Sequence, residues 1–380
     1  MELIYMDYNA TTPVKPAVLE ALLPFYRQQF GNPSSIHWAG RQVRGAVDEA
    51  RERVAALAGC EPVEVVFTSC GTEADNMAIK GTAAARRGEG NHIITSRVEH
   101  PAVLNTCLAL EQLGYDITRL EVDRHGRPDL DALTAAITDS TILISLMFAN
   151  NETGTLFPVR EIAALAAERR VCFHCDAVQA FGKVPVDVRG IGIGLTSISG
   201  HKLGAPKGVG ALVVRTGTKL HPLLNGGSQE RNRRAGTENV AGIVAFGKAC
   251  ELAGAELAGE AKRMATLRDR LERGIGERIP HTQVNGHPTE RLPNTTNISF
   301  RDVAADSLLL NLDMAGVAVS SGSACASGTL KPSHVLAAMN LESAYAKGSV
   351  RFSLGAESTE EDVEQVLALL PPIVERLRNL

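Results

Sequence analysis

Three side chains in this sequence have types and neighbours suited to chemistry: a lysine, an aspartate and a cysteine. Lys202 lies in SISGHKLGAPKGVG, whose glycines would let a ligand approach the backbone closely. In a desolvated cleft such a lysine can form a Schiff base with an aldehyde, although a lysine between glycines is otherwise an ordinary surface residue. Asp176 ends the apolar run VCFHCDA, where a carboxylate is costly unless it meets a cation.

The cysteine is Cys325, and it lies in SSGSACASG, a run of small residues from Ser320 to Gly328. Serine and glycine make such a run flexible, whereas cysteine is usually a buried residue. Cys325 is therefore either a stray thiol on a linker or a nucleophile that has to move.

Further polar residues follow strand-like runs, which is where ligands bind in open α/β sheets. These candidates are Gly71 and Thr72 after EVVFTS, His100 after HIITS, Asn151 after TILISLMF, Gln179 after VCFHCDA, and Ser199 and His201 beside the lysine. Gly71 and Thr72 could bind phosphate through free N–H groups at a helix start, or Thr72 could be an ordinary N-cap. His100 directly precedes a proline and could equally be a helix cap.

The elements that must position these residues alternate between strand and helix patterns from about Pro16 to Gly254. This alternation predicts an α/β fold with a mostly parallel sheet and helices on both faces. The apolar runs EVVFTS, HIITS, TILISLMF, VCFHCDA and GLTSIS would be its strands, and GALVVR would add an edge strand. RQVRGAVDEARERVAALAG predicts an amphipathic helix that ends at its glycine.

The pattern changes after residue 254. A long charged helix, isolated strands such as TTNISF and SVRFSL, and a terminal helix predict a smaller α+β domain. We expect a large domain over residues 16–254 and a small domain formed by residues 255–380, completed by residues 1–15.

The composition excludes several classes of protein. The net charge of −4 provides no basic surface for nucleic acid or an anionic membrane. The start, MELIYMDYNATTP, lacks a signal-peptide pattern, and the apolar run around TILISLMFA is too short to span a bilayer. These features predict a cytoplasmic protein.

The seven cysteines, an odd number, do not indicate a disulfide framework. Cys172 and Cys175 lie three apart in a strand-like run, so their side chains should point to opposite faces and be buried. No second pair completes a zinc site, and we expect no intrinsic metal. The isolated cysteines are expected to be small core residues: Cys60, Cys70, Cys107 and Cys250.

Pyridoxal phosphate is the cofactor that would use these candidates together. It needs a lysine for its aldehyde, a carboxylate against its pyridinium nitrogen and an anion site for its phosphate. Lys202, Asp176, and Thr72 with Ser199 and His201 provide these groups, and the ring of His100 could stack on the cofactor. A nicotinamide cofactor would require G-x-G-x-x-G at a helix start, and the sequence has no such motif there.

The sequence resembles the cysteine desulfurases of the NifS/IscS type, which are class V aminotransferase-like enzymes with the aspartate-aminotransferase fold. The resemblance covers essentially the whole chain and is carried by DYNATTPV, FGNPSSIH, TSCGTEADN, EHPAV, NNETG, DAVQ, SGHKLGAPKGVG, RRAGTEN, SSGSACASG and RFSLG. SGHK together with SSGSAC is highly specific.

The resemblance implies a role for each matching residue. Lys202 would form the internal aldimine, Asp176 would pair with the pyridinium nitrogen, Gln179 would bond the ring oxygen, and His100 would stack above the ring. Gly71, Thr72, Ser199 and His201 would form the phosphate site, and Thr237 would reach it from the other subunit of a homodimer. Asn151 and Arg351 would clamp the substrate carboxylate, although Arg351 taken alone could be a surface ion pair at a strand edge.

The implied reaction converts L-cysteine to L-alanine and leaves a persulfide on Cys325, with an iron–sulfur scaffold protein as acceptor. Cys325 could also ligate a transferred iron–sulfur cluster. Because the sequence ends at Leu380 without the extension of housekeeping members, we expect the nitrogenase-associated NifS branch. Alternatives are a selenocysteine lyase, another pyridoxal-phosphate enzyme of this fold such as an aminotransferase, a sulfur donor for tRNA thiolation, or a non-catalytic assembly dimer.

Overall fold

The structure is a computed structural model, and it describes residues 3–321 and 333–379. The strands of the described residues are β1 (Ile4–Tyr5), β2 (Val65–Thr68), β3 (His92–Ser96), β4 (Asp116–Leu120), β5 (Thr141–Ser145), β6 (Cys172–Asp176), β7 (Leu195–Ser199), β8 (Gly210–Val214), β9 (Thr282–Asn285), β10 (Thr295–Phe300), β11 (Val317–Ala318) and β12 (Ser349–Ser353).

The helices of the same residues surround these strands. They are α1 (Pro16–Arg27), α2 (Trp38–Ala58), α3 (Gly71–Ala85), α4 (Pro101–Glu111), α5 (Leu130–Ala136), α6 (Val159–Glu168), α7 (Val188–Ile191), α8 (Gln229–Asn232), α9 (Val240–Arg278), α10 (Ala305–Met314), α11 (His334–Ala338), α12 (Ser343–Ala346) and α13 (Glu360–Arg378). The predicted amphipathic helix is α2, which ends at Gly59 in the left-handed conformation that a residue without Cβ adopts easily.

The largest sheet has seven strands in the order β2-β8-β7-β6-β5-β3-β4. Strands β3 to β7 are mutually parallel where they pair, and β8 is antiparallel to both of its neighbours. The predicted α/β class, with a mostly parallel sheet, is therefore confirmed.

Two details of that sheet differ from the sequence prediction. The run GALVVR forms β8, which is an interior strand and not an edge strand; all five of its residues are buried, as an apolar run covered on both faces requires. The edge next to β3 is β4, whose sequence DITRL carries charged side chains and was not recognised as a strand.

Each face of this sheet is covered by a hydrophobic cluster. Successive side chains of a strand point to opposite faces, so Phe173 and Cys175 of β6 belong to one cluster and Cys172 belongs to the other. The predicted burial of Cys172 and Cys175 on opposite faces is confirmed.

A third cluster packs around the antiparallel sheet β12-β10-β9. It includes Ile4 and Met6, and β1 pairs with β11, so the N-terminal segment packs with the C-terminal part of the chain. Helix α9 contributes Cys250 to the first cluster and Met264 to the third, and it thus runs unbroken through the predicted boundary at residue 254. The division into 16–254 and the remainder stays a prediction.

No helix in the described part of the chain has the length and apolar character needed to cross a bilayer.

A buried ion pair attaches the segment before α9 to the large sheet. The Arg51 guanidinium on α2 donates to both carboxylate oxygens of Glu230 at 2.8 and 2.7 Å, and to the carbonyl of Val65 at 2.7 Å. Glu230 also accepts the backbone N–H of Phe67 at 2.9 Å, and the guanidinium lies 4.7 Å from the centroid of that ring. Strand β2, which leads into α3, is held in place by these contacts.

Replacing Arg51 by methionine should destabilise the protein by about 3–5 kcal/mol, because it leaves the buried Glu230 carboxylate without its cation. Chemical denaturation with a fluorescence or circular-dichroism readout measures this change. The matched control is Arg53→Met on the same helix, because Arg53 pairs with exposed carboxylates and its loss should cost about 0–1 kcal/mol. Equal losses in the two variants would contradict the structural role of the buried pair.

Candidate active site

A cavity of about 470 Å³ opens at the carboxyl ends of the strands of the large sheet. It brings together ten of the residues predicted from the sequence: Gly71, Thr72, His100, Asn151, Asp176, Gln179, Ser199, His201, Lys202 and Arg351. The strand ends converge there because β2, β3, β5, β6 and β7 all run in the same direction.

Lys202 lies in a short 3-10 turn, Gly200–Lys202, directly after β7. Its Nζ donates to the carbonyls of Asn9 and Ala10, the latter at 2.8 Å. The amine therefore lies where the N-terminal segment crosses the end of the sheet.

Asp176 ends β6 and is buried, with Oδ1 accepting the backbone N–H of Val178 at 2.9 Å. Burial raises the pKa of Asp176, and the nearby His100 and Lys202 oppose this increase. No carboxylate–cation pair within 4 Å involves Asp176 in the described residues, so this carboxylate fits a cationic ligand group at the cavity.

The start of α3 forms an anion site. Gly71 is its first residue, and no side chain of the described residues caps the helix, so Thr72 is not the N-cap; that position is Cys70. A Cβ at Gly71 would lie 2.8 Å from the Val178 side chain, so the close approach of α3 to the sheet requires glycine. The free N–H groups of the first turn face the cavity with the dipole of the helix behind them.

Two further groups complete this anion site. Ser199 Oγ is buried and has no hydrogen-bond partner among the described residues. Burial and the neighbouring lysines lower the pKa of His201 to about 4, so its imidazole is neutral near pH 7 and can still donate a hydrogen bond. An orphaned hydroxyl beside an uncapped helix start is the arrangement that a phosphate group satisfies.

His100 is the N-cap of α4 and also lines the cavity, so the cap is confirmed and stacking on a cofactor ring stays a prediction. Its Nδ1 accepts the backbone N–H of Ala102 at 3.1 Å. Burial lowers the pKa of His100, and together these features favour a neutral ring with its proton on Nε2.

Arg351 is not a surface residue. It lies on the buried strand β12 and donates to Asp7 at 2.7 Å and to the carbonyl of Asn151 at 2.8 Å. The Nε atom is buried and has no partner in the described part of the chain. Two of about five N–H donors are thus engaged, and the residue lines the cavity.

Gln179 and Lys202 are joined by a residue that the sequence analysis did not identify. Asn9, which is almost fully buried, accepts from both side chains at its carbonyl, the Gln179 distance being 3.0 Å. Its side chain accepts from Lys183 at 3.0 Å and donates to Thr295 at 2.9 Å. Nothing in DYNATTP marks Asn9 as more than a turn residue, so only the fold could reveal it.

The sequence analysis also did not identify two buried carboxyl groups beside the cavity, those of Asp75 and Glu99. Asp75 lines the cavity and lies 3.6 Å from His174, and burial together with the charge of Asp176 raises the pKa of Asp75. Glu99 accepts from Ser96 at 2.8 Å, and burial raises the pKa of Glu99 to about 8. Their only signal in the sequence is their proximity to predicted site residues.

The isolated cysteines, Thr237 and Cys325 lie in three different settings. Cys70 is half-buried at the cavity, so the prediction that it is a core residue is wrong; Cys60 is half-buried and packs against the first cluster, and Cys107 and Cys250 are buried as expected. Thr237 is exposed and does not line the cavity. Cys325 lies outside the described residues.

This fold and this site define a class of protein. A lysine, a buried carboxylate and an uncapped helix start with an orphaned serine hydroxyl all face one cavity at the carboxyl edge of a mostly parallel sheet. These groups fit pyridoxal phosphate, and the class is that of pyridoxal-phosphate enzymes with the aspartate-aminotransferase fold.

Comparison with known proteins identifies the family. The sequence profile of the aminotransferase class-V family matches residues 4–366, and the chain belongs to this family. A protein of Dictyoglomus turgidum named cysteine desulfurase IscS is 53% identical over 99% of this chain and 96% of its own length. A cysteine desulfurase of Trichormus azollae is 53% identical over 100% of this chain and 95% of its own length.

Solved structures agree with this assignment. A NifS-like protein superposes with a TM-score of 0.93 at 37% identity, with all of both chains covered. A structure titled SspA in complex with cysteine has a TM-score of 0.83 at 38% identity and covers 92% of this chain and 98% of its own. The predicted resemblance to NifS/IscS-type cysteine desulfurases, the fold and the cofactor are confirmed, while the nitrogenase-associated branch stays a prediction.

Replacing Glu99 by glutamine should change how stability depends on pH. The folded carboxyl keeps its proton up to about pH 8, because burial raises the pKa of Glu99, whereas the unfolded carboxyl loses it near pH ~4.3. The stability that the protonated form contributes is complete below ~4.3 and is lost as the pH rises through about 8. The gain in Tm of Glu99→Gln over the natural protein should therefore grow from mildly acidic to alkaline pH.

Thermal unfolding at several pH values measures this difference. The control is Glu20→Gln, which changes an exposed glutamate of α1 and should alter Tm little at any pH. A difference between Glu99→Gln and the natural protein that does not vary with pH would show that Glu99 is ionised in the folded state.

Proposed function

We propose that this chain is a cysteine desulfurase that converts L-cysteine to L-alanine and carries the released sulfur on Cys325. One observation supports this most directly: the cavity that holds Lys202 and Asp176 is bounded by both ends of the segment that contains Cys325. On one side the backbone of Ser320 pairs with that of Arg351, and on the other side His334 lines the cavity.

The cavity residues would bind pyridoxal phosphate at three places: its phosphate, its ring nitrogen and its ring oxygen. Thr72, Ser199, His201 and the backbone of Gly71 hold the cofactor phosphate. Asp176 would pair with the ring nitrogen, Gln179 would bond the ring oxygen, and His100 would lie against the ring. When bound, pyridoxal phosphate supplies an electron sink for charge that develops at the substrate Cα.

Lys202 and Arg351 act on the substrate: the first transfers a proton and the second binds the carboxylate. Lys202 would hold the cofactor at its aldehyde, and its amine would move the proton at the substrate Cα. Arg351 and Asn151 bind the substrate carboxylate, which the unpartnered Nε of Arg351 supports because a buried guanidinium N–H without an acceptor favours an anionic ligand. Asp7 fixes the direction of this guanidinium through the contact at 2.7 Å.

Cys325 is near enough in the chain to reach the substrate. It lies five residues after Ser320, and a chain of that length spans at most about 18 Å. The Cys325 thiolate attacks the substrate sulfur, the substrate C–S bond breaks, and the products are alanine and a persulfide on Cys325. Cysteine plus enzyme thiol thus gives alanine plus enzyme persulfide, with no other oxidant or reductant.

The persulfide then passes to an acceptor, which we propose is an iron–sulfur scaffold protein in the cytoplasm. The relatives named cysteine desulfurase support the reaction, and the six cysteines described as free thiols support a reducing compartment. The choice of an iron–sulfur scaffold protein as acceptor rests on the role in iron–sulfur cluster assembly that the family resemblance implies.

We further propose that the enzyme is a homodimer. Phe30, Ile36 and Trp38, between the end of α1 and the start of α2, are 81%, 90% and 70% exposed. Large apolar side chains this exposed and this close in sequence favour a protein interface. Thr237 is exposed outside its own cavity, which supports its predicted contact with the phosphate in the other subunit.

Turnover with L-cysteine tests the proposed reaction. The natural protein should release alanine and, with a reductant, sulfide in equal amounts. Lys202→Ala should lower alanine release by at least ~10²–10⁴-fold, because it removes the group that moves the Cα proton. Cys325→Ser should bind the cofactor and cysteine but form no persulfide, since a serine hydroxyl cannot accept the sulfur as a thiolate does.

Lys219→Ala and Cys60→Ser serve as controls, because Lys219 is exposed and neither residue lines the cavity. Both should keep normal turnover. Alanine release near the natural rate in Lys202→Ala, or persulfide labelling of Cys172 or Cys175, would refute the assignments. Turnover of selenocysteine without turnover of cysteine would favour the selenocysteine lyase alternative.

The double change Ile36→Asp and Trp38→Asp should convert the dimer to a monomer, because it buries two charges in the proposed interface. Light scattering after size-exclusion chromatography measures the mass. The monomer should also bind the cofactor more weakly, since Thr237 of the partner is lost. Leu113→Asp, which changes a side chain that is 71% exposed elsewhere, should leave the dimer intact. A double variant that remains dimeric contradicts this interface.

A further inference from the structure

Lys183 lies behind the cofactor cavity and faces only neutral oxygens. Its Nζ donates to Gln179 Oε1 at 2.9 Å and to Asn9 Oδ1 at 3.0 Å. No carboxylate of the described residues lies within ion-pair distance, and the other charges felt by its amine are the cations Lys202 and Arg351. Burial lowers the pKa of Lys183, and these cations lower it further.

Lys183 is half-buried, and an ammonium there without a carboxylate partner among the described residues is costly, so a specific benefit must offset this cost. A hydrophobic side chain could fill the volume, because the stem of Lys183 borders an apolar cavity of about 620 Å³ behind the site, together with Leu203 and Leu252. The benefit must therefore lie in what the amine donates.

The amine determines which way the Gln179 amide points. As an ammonium the lysine nitrogen is only a donor, so the group of Gln179 that meets it must be the carbonyl oxygen; beside a neutral amine, the carbonyl of Asn9 would still require the Gln179 N–H on its own side. The amide nitrogen is then turned the other way, where one N–H reaches the carbonyl of Asn9 at 3.0 Å. Its second N–H remains, and Gln179 lines the cofactor cavity.

The opposite orientation is excluded by the same contacts. A flipped amide would place N–H against the Lys183 amine and an oxygen against the carbonyl of Asn9, which would lose both hydrogen bonds. Without Lys183, only the contact with Asn9 would oppose the flip. An amide oxygen would then face the cavity in a fraction of the molecules.

We propose that Lys183 is a positioning residue for the cofactor: it holds the Gln179 amide so that an N–H, and not the carbonyl oxygen, faces the cofactor ring oxygen. This inference rests on the proposed function, in which Gln179 bonds that oxygen. Lys183 touches neither cofactor nor substrate and acts only through Gln179.

The test is the visible absorption of the holoenzyme without substrate, titrated with pH. In Lys183→Met the ring oxygen loses its donor in part of the population and holds the nearby proton more tightly. The midpoint of the spectral change should move to higher pH. The dissociation constant of the cofactor, from equilibrium dialysis, should rise about fivefold, which corresponds to one net hydrogen bond.

A matched control and a rescue separate this effect from a general loss of charge or stability. Lys15→Met removes a lysine that lines the same apolar cavity and pairs with Glu256, and its midpoint should not move. Lys183→Arg keeps a donor, and the adjoining cavity has room for its longer side chain, so it should restore the midpoint. Thermal unfolding verifies that each variant is folded, and Lys183→Ala replaces Lys183→Met if the latter is not.

A double-mutant cycle with Gln179→Leu decides the mechanism. If Lys183 acts through Gln179, the shift caused by Lys183→Met should vanish in the Gln179→Leu background. A shift that persists there, or no shift in Lys183→Met alone, overturns the proposal. No shift in Gln179→Leu alone would refute both the assignment of Gln179 and the role of Lys183, whereas failure of the proposed function would appear as lack of alanine release.

Discussion

The contacts of Asn9 connect the parts of this structure on which the site depends. Its carbonyl accepts from Lys202 and Gln179, which follow two neighbouring strands of the large sheet. Its side chain bonds Lys183 and Thr295, and Thr295 belongs to the small antiparallel sheet. One buried residue therefore links the two sheets and fixes the position of the Lys202 amine, because its polar groups would be left unsatisfied if either part moved.

Burial is the largest influence on the pKa values of the ionisable groups around the cavity. Asp75, Glu99 and Asp176 lie near one another in a medium of low polarity, and burial raises the pKa of each carboxyl. Burial and the neighbouring lysines lower the pKa of Lys183. Ser199 Oγ, which has no hydrogen-bond partner among the described residues, would bind a phosphate group, and the carboxyl of Asp176 would pair with a positive ring.

The segment that contains Cys325 begins and ends beside the cavity. Ser320 and Arg351 pair through their backbones, and Ser333 bonds the buried Glu152 carboxylate. Both ends of the segment around Cys325 are thereby attached to rigid elements of the fold.

The sequence by itself determined the α/β class, the strands that lead to the site and nine of the cavity residues, because apolar runs followed by polar residues are local patterns, whereas Arg351 was assigned by the family resemblance. Only the tertiary structure decided that GALVVR is interior, that Arg351 is buried with Asp7, and that Asn9 and Lys183 support the site. These facts depend on contacts between residues far apart in the chain. Burial and partner are properties of the packed fold, and the chain around each residue does not encode them.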